Sequence, residues 1–272
     1  MARTAPLIAQ GPGIGPNAAD LLSRLEPPSA RHWLGTDDLG RDLFLRLLEG
    51  GRVSLLVGIA AALISAVLGS AIGVLAGYVG GRLDALLMRL TDAVIALPLL
   101  PLLILLTAVD LSKLGIPPDL ARSPSMSLYQ IVVIVSLFGW TTVARLVRGM
   151  TLSLKTRDYV RAARALGAGP LRIMARHILP NAASPVIVAT TMSIGNIILF
   201  ESVLSFLGLG VQAPLASWGN MLTNAQELIW ASPMLAIWPG LLIFVTVVAF
   251  NFVGDGLQDA VDPRALDRRA AA

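Results

Sequence analysis

Few residues in this chain could perform chemistry, and they stand far apart. None of the 272 residues is cysteine, and the two histidines, His32 and His177, lie in different halves of the chain. Thiolate metal sites, disulfides and a paired-histidine metal motif are therefore excluded. Neither lysine, Lys113 or Lys155, follows a G-x-x-x-x-G-K-S/T loop, so the sequence contains no P-loop for ATP. The sequence therefore contains no motif for these metal sites or for ATP binding.

One carboxylate lies where a lone charge is costly. Glu201 falls inside the apolar stretch 184–207, five residues after Asn196. A buried carboxylate must be paired, protonated or hydrated, and an ionisable residue at membrane depth is a candidate functional residue. We expect Glu201, with Asn196, either to line a translocation pathway or to bond to a neighbouring subunit. A structural and a pathway role are equally open.

The other acidic residues are interpreted as structural. Arg89 and Asp92 stand three apart on one predicted helix and can pair on one face. Asp255 lies between two glycines that suggest the end of the last helix. The acids in the segment 37–42 do not have the spacing of an EF-hand calcium loop, and they suit the start of a short amphipathic helix over 39–48.

The composition indicates that these residues are carried by transmembrane helices. Hydrophobic residues make up 55% of the chain and charged residues only 14%, whereas soluble domains average about 25% charged residues. Lipid must therefore cover part of the protein. A helix needs about 20 mainly apolar residues to cross a bilayer. Five such stretches predict an all-α, polytopic transmembrane helical bundle: 53–79, 85–109, 128–144, 184–207 and 236–253.

Two of these spans carry residues that shape helices. Gly69, Gly73 and Gly77 stand four apart in the first span, a spacing that lets helix backbones approach closely. We interpret this glycine face as an interface that needs a partner. Pro98 and Pro101 are predicted to kink the second span.

The charges of the loops predict the orientation of the chain. Thirteen of the 21 lysines and arginines lie in the turn after the first span, in the segment 145–180 and in the C-terminal tail. The loops 110–127 and 208–235 together hold only Lys113 and Arg122. Because positive charge is retained in the cytoplasm, the basic loop and the tail are predicted to be cytoplasmic. Trp218 and Trp230, in the second of the outer loops, are predicted to anchor at the membrane interface.

Three regions follow from this orientation. They are an extracytoplasmic segment over 1–52 with its short amphipathic helix, a transmembrane domain over 53–256, and a cytoplasmic tail over 257–272. The first region carries six arginines and no signal peptide, which does not suit a translocated segment. We therefore expect one more span to precede it.

The cytoplasmic segment 158–181 has the pattern of a helix, a break and a second helix. An alanine-rich helix is predicted to end at Gly167 and Gly169, and Pro170 suits the first turn of the next helix. The second helix is predicted to carry an apolar stripe of Leu171, Met174 and Ile178. Such a pair could lie on anionic headgroups or fill a groove of a soluble partner. Nucleic-acid binding is disfavoured, because the pair is tethered at both ends and lacks base-reading side chains.

The same segment resembles a family signature. Ala162 and Ala163, followed by Gly167 and then by Leu179 and Pro180, resemble the E-A-A-x-x-x-G…L-P signature of permease subunits in binding-protein-dependent ABC importers. In that family the loop, here 145–180, forms the coupling helix that sits in a cleft of the ATPase subunit. The resemblance implies an ATPase-coupling site made of Arg161, Ala162, Ala163, Gly167, Ala168, Leu179 and Pro180. The family glutamate is Arg161 here, so its salt bridge is not implied.

Further segments narrow the resemblance to the C subunits of dipeptide and oligopeptide permeases. The entry H-W-L-G-T-D-D-L-G-R-D at 32–42, the R-V-S-L at 52–55 and the E-S-V-L-S-F-L-G-L-G at 201–210 are similar to that subfamily. The similarity spans about residues 27–264. It implies a MetI-like permease fold of six spans in the bacterial inner membrane. The implied partners are a homologous second permease, two ATPase subunits that use ATP and Mg, and an extracytoplasmic solute-binding protein.

The function implied is that of a non-catalytic permease subunit, which binds no metal or cofactor itself, in an ATP-driven importer for di- or oligopeptides or a related small solute such as nickel. ATP binding would draw the helix pair at 157–178 inward and switch the open side of the pathway. The alternative is an ion-driven carrier or channel without ATPase partners. Such proteins usually have internal repeats and intramembrane ionisable relays, and no convincing repeat is present.

Overall fold

The computed structural model describes residues 15–121, 123–223 and 225–261, which form helices and loops without any strand. Its longer helices are α1 (Leu43–Val79), α2 (Gly81–Ala96), α3 (Leu99–Thr107), α4 (Pro124–Leu154), α5 (Asp158–Ala165), α6 (Pro170–Phe206) and α7 (Met234–Val261). Helices α1, α4, α6 and α7 are long and apolar enough to cross a membrane, and α2 with α3 makes a fifth span when counted as one. The predicted all-α bundle is confirmed.

The predicted kink in the second span is a sharp break. Helices α2 and α3 are bent by 85° where they meet. Leu97 is extended, with φ −75° and ψ 139°, because a residue before proline is disfavoured in the helical region. Pro101 lies in the first turn of α3, where its missing N–H leaves no hydrogen bond unmade.

Helix α1 begins earlier than predicted. It is one helix of 37 residues whose start the Asp42 carboxylate caps, since Oδ1 accepts a hydrogen bond of 2.9 Å from the backbone N–H of Leu45. The separate helix expected over 39–48 is therefore wrong, and the boundary expected at residue 52 falls inside α1. Gly50 and Gly51 do not break the helix because Trp218 packs on them. A Cβ at Gly51 would lie 2.7 Å from the Trp218 ring.

Helices α6 and α7 are also longer than their predicted spans. The short helix expected after Pro170 is the first part of α6, which passes through a π-helical segment at Met174–Ile178. That segment changes the rotation per residue, so the stripe expected from Leu171 to Ile178 is wrong in part: Ile178 is buried and Leu171 is 79% exposed. Helix α7 does not end near Asp255. There, Gly254 makes room for Met192 of α6, whose Cγ would lie 2.6 Å from an added Cβ.

The chain divides into two compact units, each with its own core. Unit 1 comprises Met1–Ile59, Leu103–Val133 and Ile197–Val247, and unit 2 comprises Ala60–Leu102, Ile134–Asn196 and Val248–Ala272. The core of unit 1 contains Leu43, Leu47, Trp218, Ala225, Leu235 and Ile243. The core of unit 2 contains Val74, Val143, Val147, Val160, Ile173 and Ile178.

The glycine face of α1 packs inside unit 2. A Cβ at Gly69 would lie 2.5 Å from the carbonyl oxygen of Trp140, and one at Gly73 would lie 2.5 Å from that of Ala144. The close approach expected from the spacing is therefore present. Its partner is α4 of the same chain, so the expectation that this face needs a second subunit is wrong.

Candidate functional site

The candidate docking surface is the turn between α5 and α6, in unit 2. Helix α5 ends in a Schellman motif: Gly167 N–H donates to Arg164 O and Ala168 N–H to Ala163 O, both at 3.0 Å. Gly167 has φ +85°, which glycine adopts without strain. Gly169 then precedes α6, and Pro170 is its first residue. The predicted helix break is confirmed, and two residues of the family signature, Ala163 and Gly167, take part in it.

The turn has a buried inner side and an exposed outer side. Val160, Ile173 and Ile178 are fully buried in the core of unit 2. On the outer side, Leu166 is 89% exposed and Leu171 is 79% exposed. The buried side chains hold the turn in place, and the two leucines project from it.

Positive charge surrounds these leucines. Arg157, Arg161, Arg172 and Arg176 are exposed, and none forms an ion pair within the described residues. Arg164 is held differently. Its Nη2 donates to the Tyr78 hydroxyl at 3.2 Å, and its guanidinium carbon lies 5.6 Å from the centre of that ring.

The predicted coupling residues do not all lie on this surface. Arg161 and Ala162 are exposed on α5, and Ala163 and Ala168 are half-buried at the turn. Leu179 and Pro180 lie about 15 Å along α6 from its start, given a rise of about 1.5 Å per residue. There Leu179 packs against the core of unit 2, and Pro180 is exposed. The structure thus brings together the residues from 161 to 168, while Leu179 and Pro180 stand apart.

Two arginines of α4 form ion pairs with acids of α2. Arg148 binds the Asp84 carboxylate with two hydrogen bonds, Nε to Oδ1 at 2.5 Å and Nη2 to Oδ2 at 2.7 Å. Arg145 binds Asp92 at 2.5 Å. The predicted pair of Arg89 and Asp92 is therefore wrong, because a neighbouring helix supplies a better-placed arginine than the local sequence does.

The buried carboxylate belongs to unit 1. Glu201 is 0% exposed; its Oε2 accepts a hydrogen bond from Ser54 Oγ at 3.0 Å and its Oε1 accepts one from Ser205 Oγ at 2.6 Å. Both serines belong to the same chain as Glu201. The two roles expected for Glu201, lining a pathway or bonding to another subunit, stay predictions. Sequence reasoning missed Ser54 and Ser205, although Ser205 stands four residues from Glu201 on one helix, a spacing that places side chains together.

The other pathway candidate is placed differently. Asn196, in unit 2, is exposed, and its side chain has no hydrogen-bond partner among the residues that the structure describes. An amide without a partner is unfavourable against lipid. The structure therefore leaves Asn196 available to a substrate or to another subunit.

One tryptophan of unit 1 and two acids of the segment 37–42, Asp37 and Asp42, are buried as well. Trp218 is 5% exposed and its indole N–H donates to Leu47 O at 2.9 Å, so the interface anchor expected there is wrong. Trp230 is 96% exposed, and its anchoring role stays a prediction. Arg41 and His32 pair with acids of the segment 37–42. The described residues contain no cluster of potential metal ligands.

The protein is an all-α bundle of apolar helices, and a basic turn packed on the core joins two of its spans. These features are typical of a polytopic membrane subunit. A family model described as the binding-protein-dependent transport system inner membrane component matches residues 69–267. The chain belongs to this family. It is the permease subunit of an ABC importer, a non-catalytic component of the inner membrane.

Curated relatives agree with this assignment. The oligopeptide transport system permease protein OppC of Bacillus subtilis (strain 168) is 41% identical, over 91% of this chain and 77% of that protein. The glutathione transport system permease protein GsiD of Pectobacterium atrosepticum is 44% identical over 88% and 75%. The nickel transport system permease protein NikC of Escherichia coli (strain K12) is 40% identical over 94% and 87%.

Solved structures show the same fold. A chain of the MetNI methionine ABC transporter in an inward-facing conformation covers 80% of this chain and 96% of its own length, with a TM-score of 0.62 and 19% identity. A chain of an amino acid ABC transporter has a TM-score of 0.56 and 17% identity, and covers 79% of this chain. The MetI-like permease fold expected from the sequence is confirmed.

Proposed function

We propose that this chain forms half of the translocation pathway of an ATP-driven importer for di- or oligopeptides or a related small solute. A homologous permease would form the other half, two ATPase subunits would use ATP and Mg, and a solute-binding protein would deliver the solute. Similarity to peptide permeases, including the dipeptide transport system permease protein DppC of Bacillus subtilis at 42% identity, supports the substrate class. The loop charges support a cytoplasmic docking turn and C-terminus.

The observation that carries the proposal is the outer side of the docking turn. Leu166 and Leu171 are almost wholly exposed, although burying each would contribute about 1.5–3 kcal/mol. A partner groove with an apolar floor would cover both leucines. The unpaired arginines around them favour acidic residues on the groove's rim. A soluble ATPase subunit with such a groove fits this surface.

The turn between α5 and α6 is packed firmly on the core of unit 2, so a force applied to the turn would be transmitted to that core. Val160, Ile173 and Ile178 join it to the core of unit 2, and Lys155 Nζ donates to Gly77 O at 2.7 Å. Closure of the ATPase subunits on ATP would therefore move α5 and the start of α6 together. Such a switch requires ATP to bind one conformation better than the other.

Asn196 is proposed as a pathway residue. On α7, Asn251 is exposed as well, and it stands three residues before Gly254, which contacts Met192 of α6. Because α6 and α7 touch at Met192 and Gly254, the side-chain amides of Asn196 and Asn251 would lie on the same side of this contact. Two amides in an apolar surface suit hydrogen bonding to the backbone of a peptide. Asn196→Leu is expected to lower the maximal uptake rate about fivefold, with normal ATPase binding as the control.

Isolation of the complex from its native membrane tests the function. We expect a second permease and ATPase subunits to co-purify, and ATP to drive uptake of the solute that the binding protein retains. Gly167→Arg should leave the chain in the membrane but separate ATP hydrolysis from uptake. A homo-oligomer that transports without any ATPase would overturn the proposal and favour an ion-driven carrier.

A further inference from the structure

The outer segment 211–218 is held at both ends by one carboxylate. Ser205 Oγ donates to Glu201 Oε1 and accepts a hydrogen bond of 3.1 Å from the backbone N–H of Val211. Ser54 Oγ donates to Glu201 Oε2 and accepts one of 3.2 Å from the backbone N–H of Trp218. Two serine hydroxyls therefore connect Glu201 to the first and last residues of the segment.

We propose that Glu201 is a positioning residue that, through Ser54 and Ser205, fixes the segment 211–218 as the face on which the importer receives its solute from the binding protein. The proposal rests on the proposed function and deepens it. The binding protein is the expected occupant because the family is binding-protein-dependent and because the loop 208–235, which holds no lysine or arginine, is predicted to be extracytoplasmic. It differs from the pathway role expected for Glu201, and it is argued from the enclosure of the carboxylate, which is 0% exposed within this chain.

The two serine hydroxyls require an acceptor oxygen at each end of the Glu201 side-chain group. A serine hydroxyl has one proton, and here that proton goes to Glu201, which leaves the lone pairs for the backbone N–H groups. A carboxylate offers two acceptor oxygens, whereas an amide offers one oxygen and one N–H₂ donor. Glutamine would fit the space but could not accept both protons.

The C-terminal end of the segment 211–218 packs closely against neighbouring residues. A Cβ at Gly219 would lie 2.5 Å from Ser202 Cα, so that residue admits no side chain. Ala216, Ser217 and Trp218 are buried. Between the fixed ends, Gln212, Ala213 and Pro214 are exposed. The serines and Glu201 thus hold a short exposed crest, 212–214, in a defined place.

Hydrogen–deuterium exchange of the full chain in lipid nanodiscs tests whether Glu201, Ser54 and Ser205 hold the two ends of the segment 211–218. Ser205→Ala should speed exchange of the Val211 amide about tenfold and leave Trp218 protected, and Ser54→Ala should do the reverse. Glu201→Gln should speed exchange at both ends. Ser193→Ala is the matched control, because that hydroxyl donates to Thr190 O in its own helix. Equal protection in all variants, or a uniform loss across the chain, would overturn the proposal.

A functional measurement separates positioning from general stability. In the reconstituted complex, we expect Glu201→Gln to raise about tenfold the binding-protein concentration that half-maximally stimulates ATP turnover. The maximal turnover should change less than twofold. An equal fall in both quantities would contradict a positioning role. If the wild-type complex contained no ATPase, the proposed function would be wrong, but the expected changes in exchange at Val211 and Trp218 could still be observed. If the complex were active and the serine variants did not change exchange at these two amides, only the positioning role of Glu201 would be wrong.

Discussion

The two units differ in where they keep charge. Every buried charged residue within the described part of the chain belongs to unit 1, namely His32, Asp37, Asp42, Arg46 and Glu201. The buried polar residues of unit 2 are serines and threonines only. Thr151 and Thr190, for instance, donate to carbonyl oxygens of their own helices. Unit 1 therefore uses buried charge to hold its segments together, whereas the charged residues of unit 2 lie outside its core.

This contrast predicts which substitutions damage the molecule and which damage only its contacts. Removing one member of a buried ion pair leaves an uncompensated charge, whereas removing an exposed charge costs little. Variants of unit 1 should therefore change stability. Variants of the unit 2 surface should change partner binding in a protein that stays folded.

The largest effect is expected at the glycine seam inside unit 2. Gly73→Leu would place a side chain against the backbone of Ala144, and overpacking of this kind costs about 3 kcal/mol or more. We expect at least about a tenfold loss of monodisperse protein extracted from the membrane. Gly149→Leu on α4 is the control, since a Cβ there meets open space. Equal yields of the two variants would show that the seam is not closely packed.

The next effect compares two arginines of unit 1. Arg46 is 6% exposed and lies 3.4 Å from the Asp37 carboxylate, whereas the side chain of Arg52 is 64% exposed. Arg46→Ala should lower the free energy of unfolding by about 2 kcal/mol, because a buried partner is lost while Arg41 still pairs with Asp37. Arg52→Ala should lower it by less than about 1 kcal/mol. Denaturant unfolding in detergent measures both. Similar losses of unfolding free energy in the two variants would show that a buried arginine of unit 1 contributes no more to stability than an exposed one.

A smaller effect is expected at the docking turn. Leu166→Asp should reduce retention of the ATPase subunits about tenfold, because burial of one leucine contributes about 1.5–3 kcal/mol. The thermal midpoint of the purified chain should stay the same. Leu22→Asp, at a leucine 96% exposed in unit 1, is the matched control and should retain the ATPase normally. Normal retention by Leu166→Asp would place the docking surface elsewhere.

The smallest effect is expected from a single charge at the same turn. Arg161→Ala should weaken ATPase binding only about two- to fivefold, because an exposed charge contributes about 1 kcal/mol or less. The difference from the wild type should vanish near 0.5 M salt, where screening is strong. A loss that persists in high salt would mean that Arg161 acts through packing rather than charge.

Local patterns predicted much of this structure. The five spans, the break at Pro98 and the helix stop at Gly167 follow from apolar length, proline and glycine, each of which acts over a few residues. The pairing of Asp92 and the enclosure of Glu201 could not be predicted in the same way. Their partners, Arg145 and Ser54, come from other helices, and no local spacing indicates which helix will be near.

The sequence by itself determined the class of the protein: the apolar composition, the loop charges and the ordered motifs indicate a permease subunit whatever the packing. The tertiary structure alone decided what the distinctive residues do. It assigns the glycine face to α4 of the same chain, and it places Glu201 beneath both ends of the segment 211–218. The physical reason is that hydropathy and turn propensity are local, whereas close packing and buried hydrogen bonds join residues that only the folded chain brings together.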